Sequence, residues 1–225
     1  MGTPADTNHA TIADRVAQLQ STLVGYLPDD VLNAFAADQS ALQAGGVPDG
    51  IAASGDAMPD AQLLDVHGAP TTLSQAVGGR SAVVVLYRGA WCPYCNLTLR
   101  AYQEDLVRQL TPREIPLLAI SPQKPDGSLS AQEKNELSFT VLSDPGNQIA
   151  AALGVLTAPI EDARAAQRTL GLDLSEANAD GTHGLPMPTV VIVDGAGVIR
   201  WIDVHPDYTT RTEVADIVDA LSALI

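Results

Sequence analysis

Both cysteines of the chain, Cys92 and Cys95, lie in the stretch GAWCPYCNLTLR, with two residues between them. Since the chain has no other cysteine and only 4 histidines, few ligands remain to complete a metal site. A pair at this spacing favours redox chemistry, in which one thiolate attacks an oxidant or a disulfide and the other thiol resolves the product. The alternatives are two small buried side chains and a zinc site completed by a partner chain.

The elements on either side place the pair at the start of a helix. The β-branched run SAVVVLYRG, residues 81–89, predicts a strand buried on both faces, and apolar residues at helical spacing predict a helix over 93–110. Unpaired N–H groups and the dipole at a helix N-terminus stabilise a thiolate, and the thiol pKa in such motifs falls from about 8.5 to between about 3.5 and 7.5. The N-terminal sulfur is usually the more exposed one, which favours Cys92 for attack on a bulky disulfide.

Several neighbours of the pair are candidates for supporting roles. Pro93 suits a first helical turn because it needs no N–H bond there. Trp91 and Tyr94 predict an apolar, partly shielded setting. The step Met187–Pro188 precedes a late strand, and a cis proline there would bring its loop against the cysteines.

The rest of the chain alternates helices and strands. The pattern predicts two helices within 8–44, a strand at 115–121, a short helix from Gln148 to Leu153, two strands about a DGAG turn at 189–204, and a closing helix at 210–224. Residues 157–186 predict a helix and a packed loop inserted into the sheet. Residues 51–225 thus predict an α/β domain, a mixed β-sheet flanked by helices with a mostly parallel centre and an antiparallel edge. Residues 1–50 predict an N-terminal helical extension and a glycine-rich linker.

Composition excludes several classes of partner. The chain of 225 residues has 12 Lys and Arg against 27 Asp and Glu, a formal net charge of -15, which repels nucleic acid and anionic membranes. The apolar runs are too short to span a bilayer, and residues 1–30 lack a signal-peptide pattern, so the cytoplasm is the expected location. With no nucleotide-binding fingerprint and no convincing metal site, the two sulfurs are expected to carry the electrons without a cofactor.

From about Gly55 to Leu224 the sequence resembles the thioredoxin superfamily, and more closely the peroxiredoxin-like branch of the alkyl hydroperoxide reductase / thiol-specific antioxidant family. The stretches that carry the resemblance are GDAMPDAQLLDVHGAPTTLSQAV, LYRGAWCPYCNLTLRAYQ, LLAISPQ, FTVLSDPGNQIAAALGV and PTVVIVDGAGVIRWIDV. The resemblance implies a thioredoxin-like fold and a thiol-based reaction with hydroperoxides.

The family's peroxide site implies four positions, which fall here on Arg88 for its proline, Cys92 for its threonine, Cys95 for its peroxidatic cysteine, and near Pro188 for its arginine. The changes resemble thioredoxin and glutaredoxin: CPYC is the glutaredoxin sequence, Trp91 before the first cysteine is similar to thioredoxin, and those proteins keep a cis proline before the late strand. The peroxiredoxin resemblance implies that Cys95 attacks first, whereas the thioredoxin resemblance implies Cys92. Both sulfurs therefore stay candidates.

Peroxide reduction needs groups that stabilise the departing oxygen. Arg88 beside the strand end and Arg100 further along the helix are candidates, with a solvent-exposed charge as the alternative for each. His183 is a further candidate, with an ordinary loop histidine as its alternative. The remaining polar and aromatic side chains are expected to be packed or exposed: His67, Tyr102, Glu104, Asp105, His205 and Tyr208.

Three functions follow as hypotheses. The first is a peroxiredoxin-like peroxidase that reduces hydrogen peroxide or organic hydroperoxides and is regenerated by thioredoxin or a low-molecular-weight thiol. The second is a thioredoxin- or glutaredoxin-like disulfide oxidoreductase with little peroxidase activity. The third is a non-enzymatic binding module, against which the intact cysteine pair counts. The amphipathic N-terminal helices suggest a homodimer.

Overall fold

The computed structural model describes residues 10–224. The helices are α1 (Ile12–Tyr26), α2 (Asp29–Gly45), α3 (Leu73–Val77), α4 (Pro93–Ala101), α5 (Val107–Leu110), α6 (Pro125–Lys134), α7 (Gln148–Ala152), α8 (Glu161–Thr169), α9 (Leu174–Ala177) and α10 (Val214–Ala223). The strands are β1 (Gln62–Leu64), β2 (Pro70–Thr72), β3 (Ala82–Leu86), β4 (Leu117–Ser121), β5 (Thr140–Ser143), β6 (Leu156–Thr157), β7 (Leu185–Pro186), β8 (Thr189–Val193) and β9 (Ile199–Val204). A π-helical turn, Tyr102–Leu106, joins α4 to α5. Within the described range, every helix is too short or too polar to cross a membrane.

Seven of the strands form one mixed sheet in the order β2-β1-β5-β4-β3-β8-β9. The pairs β3–β4 and β4–β5 are parallel, whereas β8 and β9 on one side and β1 and β2 on the other are antiparallel. Every residue of β3, β4 and β8 is buried, as in a sheet covered by helices on both faces. The predicted α/β thioredoxin-like architecture is confirmed, and the sheet has an additional antiparallel edge formed by β1 and β2.

Alternation along β3 divides the core between the two faces of the sheet. Val83 and Val85 pack in the same apolar cluster as both cysteines and α4. Val84 and Leu86 point to the opposite face, which α3 and α7 cover. The cysteine pair therefore lies on the face that α4 and α10 share.

The N-terminal helices pack directly on this face. α1 packs against α4 and α2 against α8, and Ile12 and Val16 belong to the cluster that contains the cysteines. The carboxylate of Glu213, just before α10, accepts hydrogen bonds from the backbone N–H groups of Ile12 at 2.9 Å and Ala13 at 2.8 Å. One acidic side chain thus satisfies two of the free N–H groups at the start of α1. A domain boundary near residue 50 stays a prediction.

The structure adds elements that the sequence pattern does not predict. They are β1, β2, α3, α6 and β5. β1 and β2 have 3 residues each, too few to show an alternating pattern. The insertion at 157–186 contains the expected helix, α8, together with α9 and a small two-stranded sheet of β6 and β7.

Candidate active site

The loop between β3 and α4 positions the two sulfurs. A Cβ atom at Gly89 would lie 2.5 Å from Trp91 Nε1, so only glycine lets the indole fold back over this turn. α4 then begins at Pro93, with Cys92 as its N-cap residue. Cys95 follows one turn later, on the side of α4 that faces the sheet.

Both thiols are free and buried, each residue with a fractional exposure of 1%. Cys95 lines a small space of about 10 Å³, the Cys95 pocket, whose other lining residues include Tyr87, Thr98, Pro188, His205, Arg211 and Thr212. Arg211 Nη2 donates a hydrogen bond to Cys95 Sγ at 3.6 Å. The same guanidinium donates to the carbonyl oxygen of Tyr208, which fixes its orientation.

The surrounding groups favour the thiolate at Cys95. Burial alone raises the pKa of this thiol, but the hydrogen bond from Cys92, the Arg211 guanidinium, and the backbone N–H and charge of Arg88 together lower it to about 5. The opposite holds at Cys92, where burial, the hydrogen bond with Cys95 and the Cys95 charge hold the thiol pKa well above its usual range. At neutral pH the negative charge therefore lies on Cys95 and the proton on Cys92.

Arg88 is a second cation beside the sulfurs. Its guanidinium lies 3.8 Å from the ring centroid of Tyr208 and 5.3 Å from that of Trp91, within range of cation–π contacts. Asp38 of α2 interacts electrostatically with Arg88. Burial raises its carboxyl pKa above the ordinary value, and the N–H of Ile160 and the Arg88 charge offset part of that rise. Helix α2 thus contributes a buried carboxyl group to the surroundings of the pair.

Cys92 lies at the bottom of a second and much larger space, which we call the helical cleft. Its volume is about 680 Å³. Helices α1, α2 and α8, the active-site loop and the start of α4 form its walls, and its lining is mostly apolar, including Leu23, Val24, Leu27, Leu32, Phe35 and Leu172. The two cysteine residues are equally buried, so fractional exposure does not separate them. Cys92 is nevertheless the one that lines the wider space.

Most of the predicted supporting residues lie around these two spaces. Trp91, Pro93 and Tyr94 line the helical cleft, and Pro188 lines the Cys95 pocket. Met187 is instead buried in the core on the opposite face of the sheet, because neighbouring residues of an extended chain point to opposite faces.

Three possibilities considered from the sequence, which are Arg100, a cis Met187–Pro188 bond and His183, are not part of the observed surroundings of the sulfurs. Arg100 is exposed and lines a separate surface groove, because a side chain five residues after Cys95 points about 140° away around a helix of 3.6 residues per turn. The Met187–Pro188 peptide bond is trans, as are all peptide bonds within residues 10–224. His183 lies on the loop between α9 and β7, beside Asp173.

Three residues of the site are absent from the sequence-based candidates: His205, Tyr208 and Arg211. They belong to the segment between β9 and α10, which the fold brings against α4. Arg211 is 116 residues from Cys95 along the chain, and no local motif marks it. The family resemblance indicates that an arginine is missing near Pro188, but it does not indicate which residue of this chain supplies a cation instead.

The curated relatives that the chain matches are peroxiredoxins. The chain is 35% identical over 77 residues to a putative peroxiredoxin bcp of Haemophilus influenzae, a match that covers 34% of this chain and 49% of the relative. It is 30% identical over 102 residues to peroxiredoxin Bcp of Escherichia coli K12, covering 45% and 64% respectively. The chain thus spans less than two thirds of the length of either relative.

Solved structures and a family model complete the comparison. The reduced Prx3 of Vibrio vulnificus, solved in complex with hydrogen peroxide, superposes with a TM-score of 0.61 at 18% identity, covering 76% of this chain and 99% of that one. This likeness shows the fold. The family model described as the AhpC/TSA family matches residues 54–202, more than half of the chain. By this match the chain belongs to the AhpC/TSA family.

Proposed function

We propose that the chain is a thiol peroxidase that reduces hydrogen peroxide or organic hydroperoxides through a Cys92/Cys95 dithiol–disulfide cycle. One observation carries the proposal: the Cys95 sulfur is stabilised as a thiolate, with the Arg211 guanidinium 3.6 Å away, in a pocket of about 10 Å³. A space of that size holds roughly one water molecule. It suits the peroxide group far better than a protein disulfide.

In the first step the Cys95 thiolate attacks the terminal oxygen of the hydroperoxide. The O–O bond breaks, Cys95 becomes a sulfenic acid, and the alkoxide or hydroxide leaves. Arg211 and Arg88 place positive charge where the departing oxygen becomes negative. The thiol of Cys92, which burial keeps protonated, is the adjacent group that supplies the proton.

In the second step the Cys92 sulfur attacks the sulfenic acid of Cys95. The S–O bond breaks, hydroxide leaves, and the Cys92–Cys95 disulfide forms. The pair has thus given two electrons to the peroxide. A thioredoxin-type protein or a low-molecular-weight thiol returns them and restores the dithiol.

The other residues have supporting roles in this scheme. Arg88, held between Trp91 and Tyr208, adds positive charge, and Pro93 and Tyr94 shape the cleft side of the pair. We place the cycle in the cytoplasm, whose thiol buffers keep cysteines reduced. A homodimer stays a prediction.

A disulfide oxidoreductase with little peroxidase activity is the second candidate. The position of Cys92 on the helical cleft favours it, since a bulky disulfide has room there and not in the Cys95 pocket. In that reaction Cys92, rather than Cys95, makes the first bond to the substrate.

The two candidate functions are distinguished by mixing the reduced protein with both kinds of oxidant, hydroperoxides and a disulfide. Stopped-flow tryptophan fluorescence, with Trp91 next to the pair as reporter, follows oxidation by hydrogen peroxide, by cumene hydroperoxide and by a model disulfide. We expect the hydroperoxides to react far faster than a free thiol of the same pKa. A reaction with peroxide no faster than that of such a thiol, together with rapid reaction with the disulfide, contradicts the peroxidase proposal.

A further inference from the structure

We infer that the helical cleft is the docking site for an apolar, cysteine-bearing segment of a protein dithiol reductant, which reopens the Cys92–Cys95 disulfide by attacking Cys92. This inference rests on the proposed function for the disulfide. It adds which sulfur the reductant attacks, which surface receives the reductant, and what kind of reductant the surface selects.

The two spaces determine which sulfur is accessible. Cys92 lines the helical cleft of about 680 Å³, whereas Cys95 lines the pocket of about 10 Å³. Since each cysteine is only 1% exposed, a thiol must enter one of these spaces to reach a sulfur. Only the cleft has room for a side chain on a polypeptide, so the attack falls on Cys92.

The pKa values of the two thiols also favour attack of the reductant at Cys92. In thiol–disulfide exchange the sulfur with the lower thiol pKa is the better leaving group. Cys95, whose pKa is lowered to about 5 by Cys92, Arg211 and Arg88 despite its burial, is that sulfur. Attack at Cys92 thus releases Cys95 directly as the thiolate that the next peroxide needs.

The exchange balances in two steps. The reductant's thiolate bonds to Cys92 Sγ, the Cys92–Cys95 bond breaks, and Cys95 leaves as a thiolate. The second thiol of the reductant then attacks its own mixed-disulfide sulfur, and Cys92 leaves and takes up a proton. Two electrons pass from the dithiol to the pair, and the reductant ends as a disulfide.

The lining of the cleft favours a protein over a small thiol. Among the described residues that line it, Arg88 is the one charged side chain, and the rings of Tyr208 and Trp91 already cover its guanidinium. Low-molecular-weight cellular thiols are polar and carry carboxylates, which this apolar surface does not pair. The rim, in contrast, exposes Val24 and Leu170, and exposed apolar side chains around a groove are typical of protein-binding surfaces.

Two other occupants fit the observations less well. A long-chain hydroperoxide has to deliver its peroxide group to Cys95, which lines the other space. A second copy of this chain would bring together two molecules with a formal charge of -15 each, which repel one another.

Matched surface variants test the inference. Leu170 lines the cleft and is 49% exposed, and Leu156 on β6 lies outside the cleft with a similar exposure of 41%. The substitutions Leu170→Glu and Leu156→Glu therefore add the same charge at comparably exposed sites, and neither position is part of the proposed chemistry. Val24→Glu, with Tyr26→Glu as its control on the same helix, repeats the comparison from the opposite wall.

The readout is reduction of the preformed disulfide. The pair is oxidised with diamide and then reduced either by a bacterial thioredoxin or by dithiothreitol. We expect Leu170→Glu and Val24→Glu to slow reduction by thioredoxin by about tenfold or more, the effect of losing an interface contact of ordinary importance. Reduction by dithiothreitol, and both rates in Leu156→Glu and Tyr26→Glu, should stay within about twofold of the wild type.

A trapping experiment identifies the attacked sulfur. A thioredoxin that lacks its second active-site cysteine forms a mixed disulfide that peptide mass spectrometry locates, and we expect it on Cys92. A mixed disulfide on Cys95 overturns the inference, as do equal effects in the control variants or a thioredoxin that reduces the pair no faster than dithiothreitol.

The competing occupants give distinct results. Cleft variants that slow only oxidation by a long-chain hydroperoxide, or that dissociate a dimer seen by native mass spectrometry, also overturn the inference. Because diamide forms the disulfide without peroxide, a protein that fails to react with hydroperoxides contradicts the proposed function while these reduction rates are still measured.

Discussion

The two sulfurs lie three positions apart in one helical turn, yet their surroundings differ in nearly every respect. Cys95 faces a narrow pocket of about 10 Å³ in which Arg211 donates a hydrogen bond to its sulfur. Cys92 faces an open, apolar cleft of about 680 Å³ built by helices α1, α2 and α8. In the proposed cycle, Cys95 therefore meets the small oxidant and Cys92 the large reductant.

The Cys95 pocket and the helical cleft are also lined by different parts of the chain. The Cys95 pocket is formed by β3, α4, β8 and the segment before α10, which lie mostly within the part of the chain that matches the AhpC/TSA family. Two walls of the helical cleft, α1 and α2, precede that part. The oxidising half of the proposed cycle thus combines the matched part of the chain with Arg211, which follows it, and the reducing half combines it with α1 and α2, which precede it.

The largest effect is expected when each cysteine is replaced in turn by serine. Cys95→Ser should lower the rate constant for reaction with hydrogen peroxide by about 10³-fold or more, because it removes the nucleophile. Cys92→Ser should slow the first step, because the thiol that supplies the proton is gone, and the reaction should then stop at the sulfenic acid, since no thiol is left to resolve it. Stopped-flow fluorescence measures the rates, and dimedone labelling with mass spectrometry detects the sulfenic acid. A Cys92→Ser protein that is unreactive, with an active Cys95→Ser protein, reverses the two roles.

The second effect concerns the cation in the Cys95 pocket. Arg211→Gln should raise the pKa of Cys95 above its value of about 5 and slow the peroxide reaction near pH 6 by roughly tenfold, since each pKa unit above the working pH costs about a factor of ten in thiolate. The wild-type rate should be constant at neutral pH and fall as the pH drops through about 5, where Cys95 becomes protonated.

The matched control for this change is Arg100→Gln on the exposed side of α4. Its rate and pH profile should match the wild type within about twofold. If Arg100→Gln shifts the profile and Arg211→Gln does not, the cation that the peroxide site uses has been wrongly assigned.

A third change destabilises α1, which is a wall of the helical cleft but not of the Cys95 pocket. Thr11→Ala removes the N-cap hydroxyl that accepts a hydrogen bond from the N–H of Asp14 at the start of α1 and should lower the free energy of unfolding by about 1 kcal/mol, the usual cost of a lost helix cap. Urea unfolding measures the loss, and amide hydrogen exchange should show faster opening of α1. Because α1 is a wall of the cleft only, reduction by thioredoxin should slow more than oxidation by peroxide. Equal slowing of both steps contradicts the separation.

The smallest effect is expected at the ring that covers Arg88. Tyr208→Leu removes the cation–π contact at 3.8 Å, worth about 0.5–2 kcal/mol, and should change the peroxide rate by a few-fold. Tyr208→Phe keeps the ring and should stay within about twofold of the wild type. A Tyr208→Phe protein as slow as Tyr208→Leu assigns the effect to the hydroxyl instead.

The fold was largely readable from the sequence because its central elements are strongly patterned. β3 and the β8–β9 hairpin are rich in β-branched residues, β4 is a short apolar run, and local sequence alone predicts all of them. The short edge strands β1 and β2 escaped prediction since three residues carry no periodicity. Their pairing depends on the sheet that they join.

The sequence predicts only those parts of the site whose residues lie close together along the chain. The cysteine pair and Trp91 stand together in the sequence, whereas Arg211 reaches Cys95 across 116 residues, through a chain path that no spacing rule describes. The position of the helix end likewise indicates a stabilised thiolate but not which sulfur carries it. That choice depends on Arg211 and on the burial of Cys92, both products of tertiary structure.

The most direct test of this division is the acidity of each thiol, followed by the ultraviolet absorbance of the thiolate during pH titration of Cys92→Ser and Cys95→Ser. We expect the thiol of Cys95, measured in Cys92→Ser, to titrate below an ordinary thiol, because the serine hydroxyl can donate the hydrogen bond in place of Cys92 and the charges of Arg211 and Arg88 remain. The thiol of Cys92, measured in Cys95→Ser, should titrate above an ordinary thiol. A low pKa at Cys92 and an ordinary one at Cys95 contradicts the account, and assigns the attacking thiolate to the cleft.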